Sequence, residues 1–283
     1  MIKFQVGDYV KRTSYGGDIV FVIDKIDFRQ GLAILKGVNY RLLADSPLTD
    51  LVKDDFYSMT RATGAISFEP YKSLLRSIFH ERLSNDTRVQ KTTNVYRLTP
   101  VPGKVLHIDG EEHYLKQSLE LYHQLNVPVV GVSIHEIEQA SKIQELLEKY
   151  MPDILVITGH DGLLRKYSSK DNIANYRSSI YYRDAVRKAR KYEPDKDSLV
   201  IIAGACQSYF EILMEAGANF ASSPNRKMIH CFDPVLIAER IAYTSFNEIV
   251  DLKNILSNTM SGLDGYGGLQ TKGKLRYSFP DIY

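Results

Sequence analysis

Between residues 104 and 222 the chain repeats one unit: a short apolar run, a break at small or polar residues, then a stretch with helical periodicity. The clearest runs are Asp153-Ile154-Leu155-Val156-Ile157-Thr158-Gly159 and Leu199-Val200-Ile201-Ile202-Ala203. Runs that are apolar at every position, not at alternate ones, read as strands buried on both faces of a parallel sheet. Further strands are expected over 104–108, 127–134 and 219–222, with helices over 112–125, 137–150, 172–192, 209–216, 234–242 and 246–256. Such alternation means right-handed βαβ units, hence an α/β domain whose mainly parallel sheet carries helices on both faces. In the commonest strand order, 2-1-3-4-5, the third and fourth strands are neighbours, about 4.8 Å apart. A Gly-rich loop over 262–268 and a terminal hairpin over 268–279 close the chain.

Ligands gather at the carboxyl ends of the strands in such a sheet. The third strand ends at His160 and the fourth at Cys206. Taken singly, a structural Cys at a strand end and a His capping a loop are ordinary features. Offered side by side, they are a sulfur nucleophile and a base able to share its proton. Cys206 is expected to end a strand and begin a helix, where free backbone N–H groups point outward. Those of Cys206 and of Asp161 or Gly162 are candidates for holding an oxyanion. Gly159, Gly204 and Ala205 leave room for a substrate backbone, and Gly162 lets the chain turn away.

Residues 1–52 read differently. Short strands over 6–10, 19–26, 32–35 and 41–44, separated by Gly turns, suggest a small antiparallel barrel. Gly7-Asp8-Tyr9-Val10 resembles the opening strand of SH3-like and KOW-type modules, which implies either docking to a partner or packing against the larger domain. Residues 53–100 are polar and rich in breakers, with one amphipathic helix over 71–83. They read as a linker with a docked helix, ahead of an α/β domain over 101–283.

Net charge of +2 and 25% charged residues give no argument for a nucleic-acid partner, and no apolar run reaches membrane-spanning length. With two cysteines, Cys206 and Cys231, and no apolar N-terminal signal, a cytoplasmic, reducing setting is expected. No cofactor or metal is expected. The oligomeric state is not set by these features.

An apolar strand ending in His and then another ending in a small residue and Cys resembles the caspase–clostripain–gingipain–separase clan of cysteine peptidases. More closely, Asp153-Ile154-Leu155-Val156-Ile157-Thr158-Gly159-His160-Asp161 and Ala203-Gly204-Ala205-Cys206-Gln207-Ser208 resemble the YabG family of sporulation-specific peptidases. So do Gly217-Ala218-Asn219-Phe220-Ala221-Ser222-Ser223-Pro224 and Pro102-Gly103-Lys104-Val105-Leu106-His107. The resemblance implies a caspase-like fold with His160 and Cys206 catalytic. It also implies cleavage after Arg in spore coat and cortex-associated proteins, by a chain made in the mother cell and later associated with the coat. Two positions depart from the clan pattern: Asp161 stands where Gly follows the His, and Gly204 where an acid precedes the Cys. In gingipain-like members the acid that reads Arg ends an earlier strand, which points to Asp109, with Glu111, Glu112 and Asp161 as substitutes. An Arg-specific enzyme would meet Arg61, Arg76, Arg82, Arg88 and Arg97 of its own linker, so self-cleavage there is expected.

Three other readings stay open. Asp109, His135, His160 and Asp161 all lie at predicted strand ends and suit a metal hydrolase, though without a tight ligand spacing. Gly204-Ala205-Cys206-Gln207-Ser208 approximates the nucleophile elbow of glutamine-amidotransferase-like amidases, with His230 and Asp233 as partners. The barrel alone suits a non-catalytic coat-assembly module.

Overall fold

In the computed structural model the described residues are 4–54, 71–92 (side chains to 85), 98–164 and 169–278. The N-terminal part is a five-stranded antiparallel sheet of β1 (Tyr9–Arg12), β2 (Val20–Asp27), β3 (Leu32–Gly37), β4 (Leu43–Pro47) and β5 (Leu51–Lys53), in the order β4-β3-β2-β1-β5. Val10, Phe21, Ile23, Ala33 and Leu35 alternate with more exposed neighbours and fill its inner face. The strand expected over 41–44 starts later, at Leu43, so Arg41 and Leu42 lie outside the sheet. That two-residue difference decides the geometry of the site.

Helix α1 spans Lys72–Thr92. It docks on α6 (Asp233–Tyr243) largely through charge: Arg82 donates to Glu239 at 2.8 and 2.5 Å and to the Leu125 carbonyl at 2.6 Å, and Arg240 grips Glu81 at 2.6 and 2.8 Å. The Arg82 guanidinium also lies over the Tyr243 ring, 3.4 Å from its centre. Arg76 and Arg82 therefore sit on a regular helix, not on an extended linker. Arg61, Arg97 and the side chain of Arg88 lie outside the described residues.

The main sheet comprises β7 (Val105–Asp109), β8 (Val129–Ser133), β9 (Ile154–Thr158), β10 (Val200–Ala203), β11 (Phe220–Ser222) and β12 (Tyr266–Gly268). Its order is β12-β11-β10-β9-β7-β8, parallel except where β12 runs against β11. The first five strands thus follow the expected 2-1-3-4-5 order, and β9 pairs with β10 from Val200↔Ile154 to Ala203↔Ile157. Strand side chains alternate between two cores. Ile154, Val156, Val200 and Ile202 pack with α2 (Glu112–Gln124), α6 and the N-terminal sheet. Leu155, Ile157, Ile201 and Ala203 pack with α3 (Glu136–Tyr150), α4 (Ser179–Tyr192) and α5 (Phe210–Glu215). Because Val10, Phe21 and Leu35 belong to the first core, the N-terminal sheet is built onto this face and is no free appendage.

Four local expectations are corrected. The helix expected over 172–192 begins at Ser179, after a single 3-10 turn over Ile173–Asn175, and the one expected over 246–256 is shortened to α7 (Leu252–Ser257). The Gly-rich segment supplies β12: Gly267 and Gly268 let that strand lie against Phe210 and Phe220, where a Cβ would collide with either ring. The terminal hairpin is absent among the described residues, since β13 (Arg276–Ser278) pairs instead with β6 (Thr99–Val101).

Candidate active site

His160 and Cys206 follow β9 and β10, so parallel pairing brings their backbones together at one edge of the sheet. Both are buried, at 4% and 0% exposure. They do not bond to each other here. The Cys206 thiol donates to the Ile229 carbonyl at 3.4 Å and accepts from the Ile229 N–H at 3.2 Å, and His160 Nε2 has no partner among the described residues. Burial pushes the Cys206 thiol well above its ordinary range and lowers the imidazole of His160 to about 3. Both groups are therefore neutral at pH 7.

Helix α5 starts only at Phe210, so Cys206 lies on a turn and not at a helix N-terminus. Gly204 owes its place to backbone shape: it sits at φ +104°, with the Ser222 hydroxyl against its Cα. At Gly110 and Gly159 the missing side chains leave room for the carboxylate of Glu136, which accepts the His160 N–H at 2.7 Å. At each of these glycines the space a side chain would take is filled by the protein's own groups.

Asp161 is the fastener between the two strand ends. Its carboxylate accepts from the N–H groups of Gly162 and Ser178, both at 2.8 Å, and from the hydroxyls of Ser179 and Ser208 at 2.5 and 2.8 Å. Those hydroxyls in turn accept from the N–H groups of Tyr209 and Ala205, at 2.8 and 2.9 Å. With four donors of its own chain around it, the Asp161 carboxylate is not open to a substrate cation. Its backbone N–H is a different matter.

That N–H and the N–H of Cys206 both point at the carbonyl oxygen of Arg41, at 3.4 and 3.3 Å. The Gly162 N–H, the alternative donor, is turned to the Asp161 carboxylate. Around Arg41 the chain is held at every residue: Cys231 N–H to the Asn39 carbonyl at 3.0 Å, a bridge from Tyr40 to His230, a bridge from Leu42 to Asp161, and Leu43 N–H to the Asp161 carbonyl at 3.2 Å. Leu42 N–H bonds back to the Tyr40 carbonyl at 2.7 Å, folding the chain sharply at Arg41. The Leu43 carbonyl passes so close to Gly162 that a Cβ there would lie 2.6 Å from it.

The Arg41 side chain runs inward, fully buried, to Asp109 at the end of β7. One guanidinium nitrogen donates to the carboxylate at 2.5 Å, and the other lies 3.3 Å from the Cys231 carbonyl and 3.5 Å from the Ser118 hydroxyl. The Tyr114 ring flanks it, 5.0 Å from ring centre to guanidinium carbon. Asp109 also accepts from the Glu111 N–H at 3.0 Å and the Thr158 hydroxyl at 3.1 Å. Burial works against both charges, but the pair holds Asp109 well below the usual carboxylate range and Arg41 firmly protonated. Of the substitutes, Glu111 pairs with Lys36 at 2.7 Å, and Glu112 faces outward to Lys116 at 2.7 Å. Arg41 carried no local signal in the sequence, and its partner lies 68 residues away.

The rival constellations are not assembled. His135 is exposed beside Glu136, and no three of the described His, Cys, Asp and Glu residues converge as a metal-binding group. His230 spends its ring nitrogens on the Tyr71 hydroxyl at 3.1 Å and the Phe232 N–H at 3.2 Å. Asp233 accepts the N–H groups of His230 and Met260, at 3.1 and 2.7 Å. A cleft of about 230 Å³ opens beside His160, lined also by Lys36, Gly37, Val38, Glu111 and Tyr114.

Acid should expose the cost of burying His160. Its pKa is lowered from the ordinary 6.5 to about 3, so the unfolded chain takes up this proton first. The stabilisation is complete above pH 6.5 and is lost as pH falls toward 3. In a Cys206→Ala background, urea titrations between pH 6.5 and 5 should show a steeper loss of stability with His160 than with Gln there. The difference should approach about 1.4 kcal/mol per pH unit, the value for one proton.

The fold and site define a class: an α/β protein with a thiol and an imidazole at the ends of adjacent parallel strands, and a buried acid beside them. The chain belongs to the family described as YabG peptidase U57, whose profile matches residues 5–280. It is 42% identical over 288 residues to the sporulation-specific protease YabG of Bacillus subtilis (strain 168), covering 99% of both chains. No solved structure matches it significantly. It is thus a member of a protease family with a role in sporulation, acting on protein substrates. No helix among the described residues is long and apolar enough to cross a membrane.

Proposed function

We propose that the protein is a cysteine endopeptidase that cleaves after Arg in spore coat and cortex-associated proteins, made in the mother-cell cytoplasm and later associated with the coat. Cys206 is the nucleophile. His160 takes the thiol proton and delivers it to the leaving amine, and water then hydrolyses the acyl-enzyme. The N–H groups of Cys206 and Asp161 hold the oxyanion, and Asp109 pairs with the guanidinium of the substrate.

One observation carries this reading: the site already holds an arginine residue by both ends. The Arg41 carbonyl oxygen rests on the N–H groups beside Cys206 and His160, while its guanidinium meets Asp109. The strand order, with His and Cys at adjacent ends, supports a caspase-like reading of the main sheet, and the meander with β5 beside β1 supports an SH3-like reading of the N-terminal one. In this reading residues 1–52 are the small barrel, 53–100 a linker with its docked helix, and 101–283 the peptidase domain.

The test is product mapping. Incubated with an Arg-containing coat-protein fragment, the wild type should leave new C-termini at Arg, and Cys206→Ala should leave none. Iodoacetamide should inactivate the enzyme and a chelator should not. Cleavage by Cys206→Ala, or loss with chelator that zinc restores, would overturn the assignment.

A further inference from the structure

We propose that the peptide bond joining Arg41 to Leu42 is the protein's own first substrate, cut in cis by Cys206, and that the chain is latent until that bond breaks. This rests on the cysteine-peptidase reading of the site. A buried arginine whose sole task was to balance Asp109 would need only its side chain there. Here the backbone is bound as well, at Asn39, Tyr40, Arg41, Leu42 and Leu43, all on the rim formed by Asp161, Cys206, His230 and Cys231. The two donors to the Arg41 carbonyl belong to Cys206 itself and to the residue after His160. At 3.3 and 3.4 Å they are long for a ground-state bond, which suits donors placed for an oxygen that moves outward as its carbon becomes tetrahedral. Gly162, bare of a side chain, admits the Leu43 carbonyl on the leaving side.

The step balances with water as the one co-reactant. The Cys206 thiol gives its proton to His160 and its sulfur bonds to the Arg41 carbonyl carbon. The C–N bond to Leu42 then breaks, and the Leu42 nitrogen takes the proton from His160. Water, entering by the cleft beside His160, attacks the thioester, loses a proton to His160, and expels the sulfur, which regains it. A chain ending in the Arg41 carboxylate and a chain beginning at Leu42 remain. Until then Asp109 and both oxyanion donors are occupied, so no other arginine can use them.

The experiment follows intact mass and N-terminal sequence for purified full-length wild type, Cys206→Ala and Arg41→Lys, alongside turnover of a short Arg peptide. Wild type should yield a species beginning at Leu42, with a half-life unchanged across a wide range of protein dilution. Cys206→Ala should keep the bond, and Arg41→Lys, which retains the charge but loses the planar fork, should slow its cleavage about 10-fold or more. A wild type that turns over the Arg peptide while the bond stays whole overturns the proposal and leaves the peptidase reading standing. So does a half-life that lengthens on dilution. A wild type that cuts neither itself nor any Arg peptide overturns both.

Discussion

Cys206→Ala and His160→Ala are each expected to lower kcat/KM on an Arg peptide by about 10⁴-fold or more while leaving the fold intact. The size follows from what is removed: without sulfur there is no acyl-enzyme, and without the imidazole the thiol keeps a proton that burial already favours. The two losses should not add, because nucleophile and base act as one unit. Neither side chain is tied to another by a hydrogen bond among the described residues: Cys206 bonds to the Ile229 backbone, and His160 Nε2 has no partner, so what each truncation removes is packing, Cys206 in the core and the His160 ring against Tyr114. Melting curves close to that of the wild type, with activity gone, are the signature to look for. Full activity in either variant would remove the mechanism.

Asp109→Asn should act on stability and specificity together. In a Cys206→Ala background it leaves the Arg41 guanidinium buried without its counter-charge, which costs about 3–5 kcal/mol of folding free energy. Adding Arg41→Gln should recover part of that, because the double variant no longer buries a lone charge. With Cys206 present, the same Asp109→Asn change should weaken binding of an Arg peptide by about 2–5 kcal/mol. It should have little effect on reaction with a thiol-directed alkylating agent. Urea unfolding and peptide kinetics read the two effects separately. A double variant no more stable than the sum of its parts would show that the buried pair is not the cause.

The main sheet was legible because its strands are apolar throughout and bounded by breakers, and a parallel order then followed from chain direction and handedness. Adjacency of His160 and Cys206 followed from that order. Gly159 suggests room for a substrate backbone when taken alone; its position beside Gly110 holds a further clue. Gly110 and Gly159 end neighbouring strands, and a bare Cα on two adjacent ends signals a bulky group beneath both, here Glu136. Arg41 was invisible because nothing local distinguishes an arginine opening an expected surface strand from one bound 68 residues away. Likewise β12 could not be read as part of the main sheet: a Tyr-Gly-Gly strand has no apolar pattern, and only the rings of Phe210 and Phe220 call for its glycines.

The Asp161 carboxylate has a consequence for how this family can vary. It joins the turn after His160 to that after Cys206 through two serine hydroxyls, each of which donates to the carboxylate and accepts a bond from a backbone amide. The two turns therefore share one fastening and cannot drift apart separately. A lineage that replaces Asp161 strands both hydroxyls at once, so Asp161, Ser179 and Ser208 are expected to be inherited, lost or exchanged as a set.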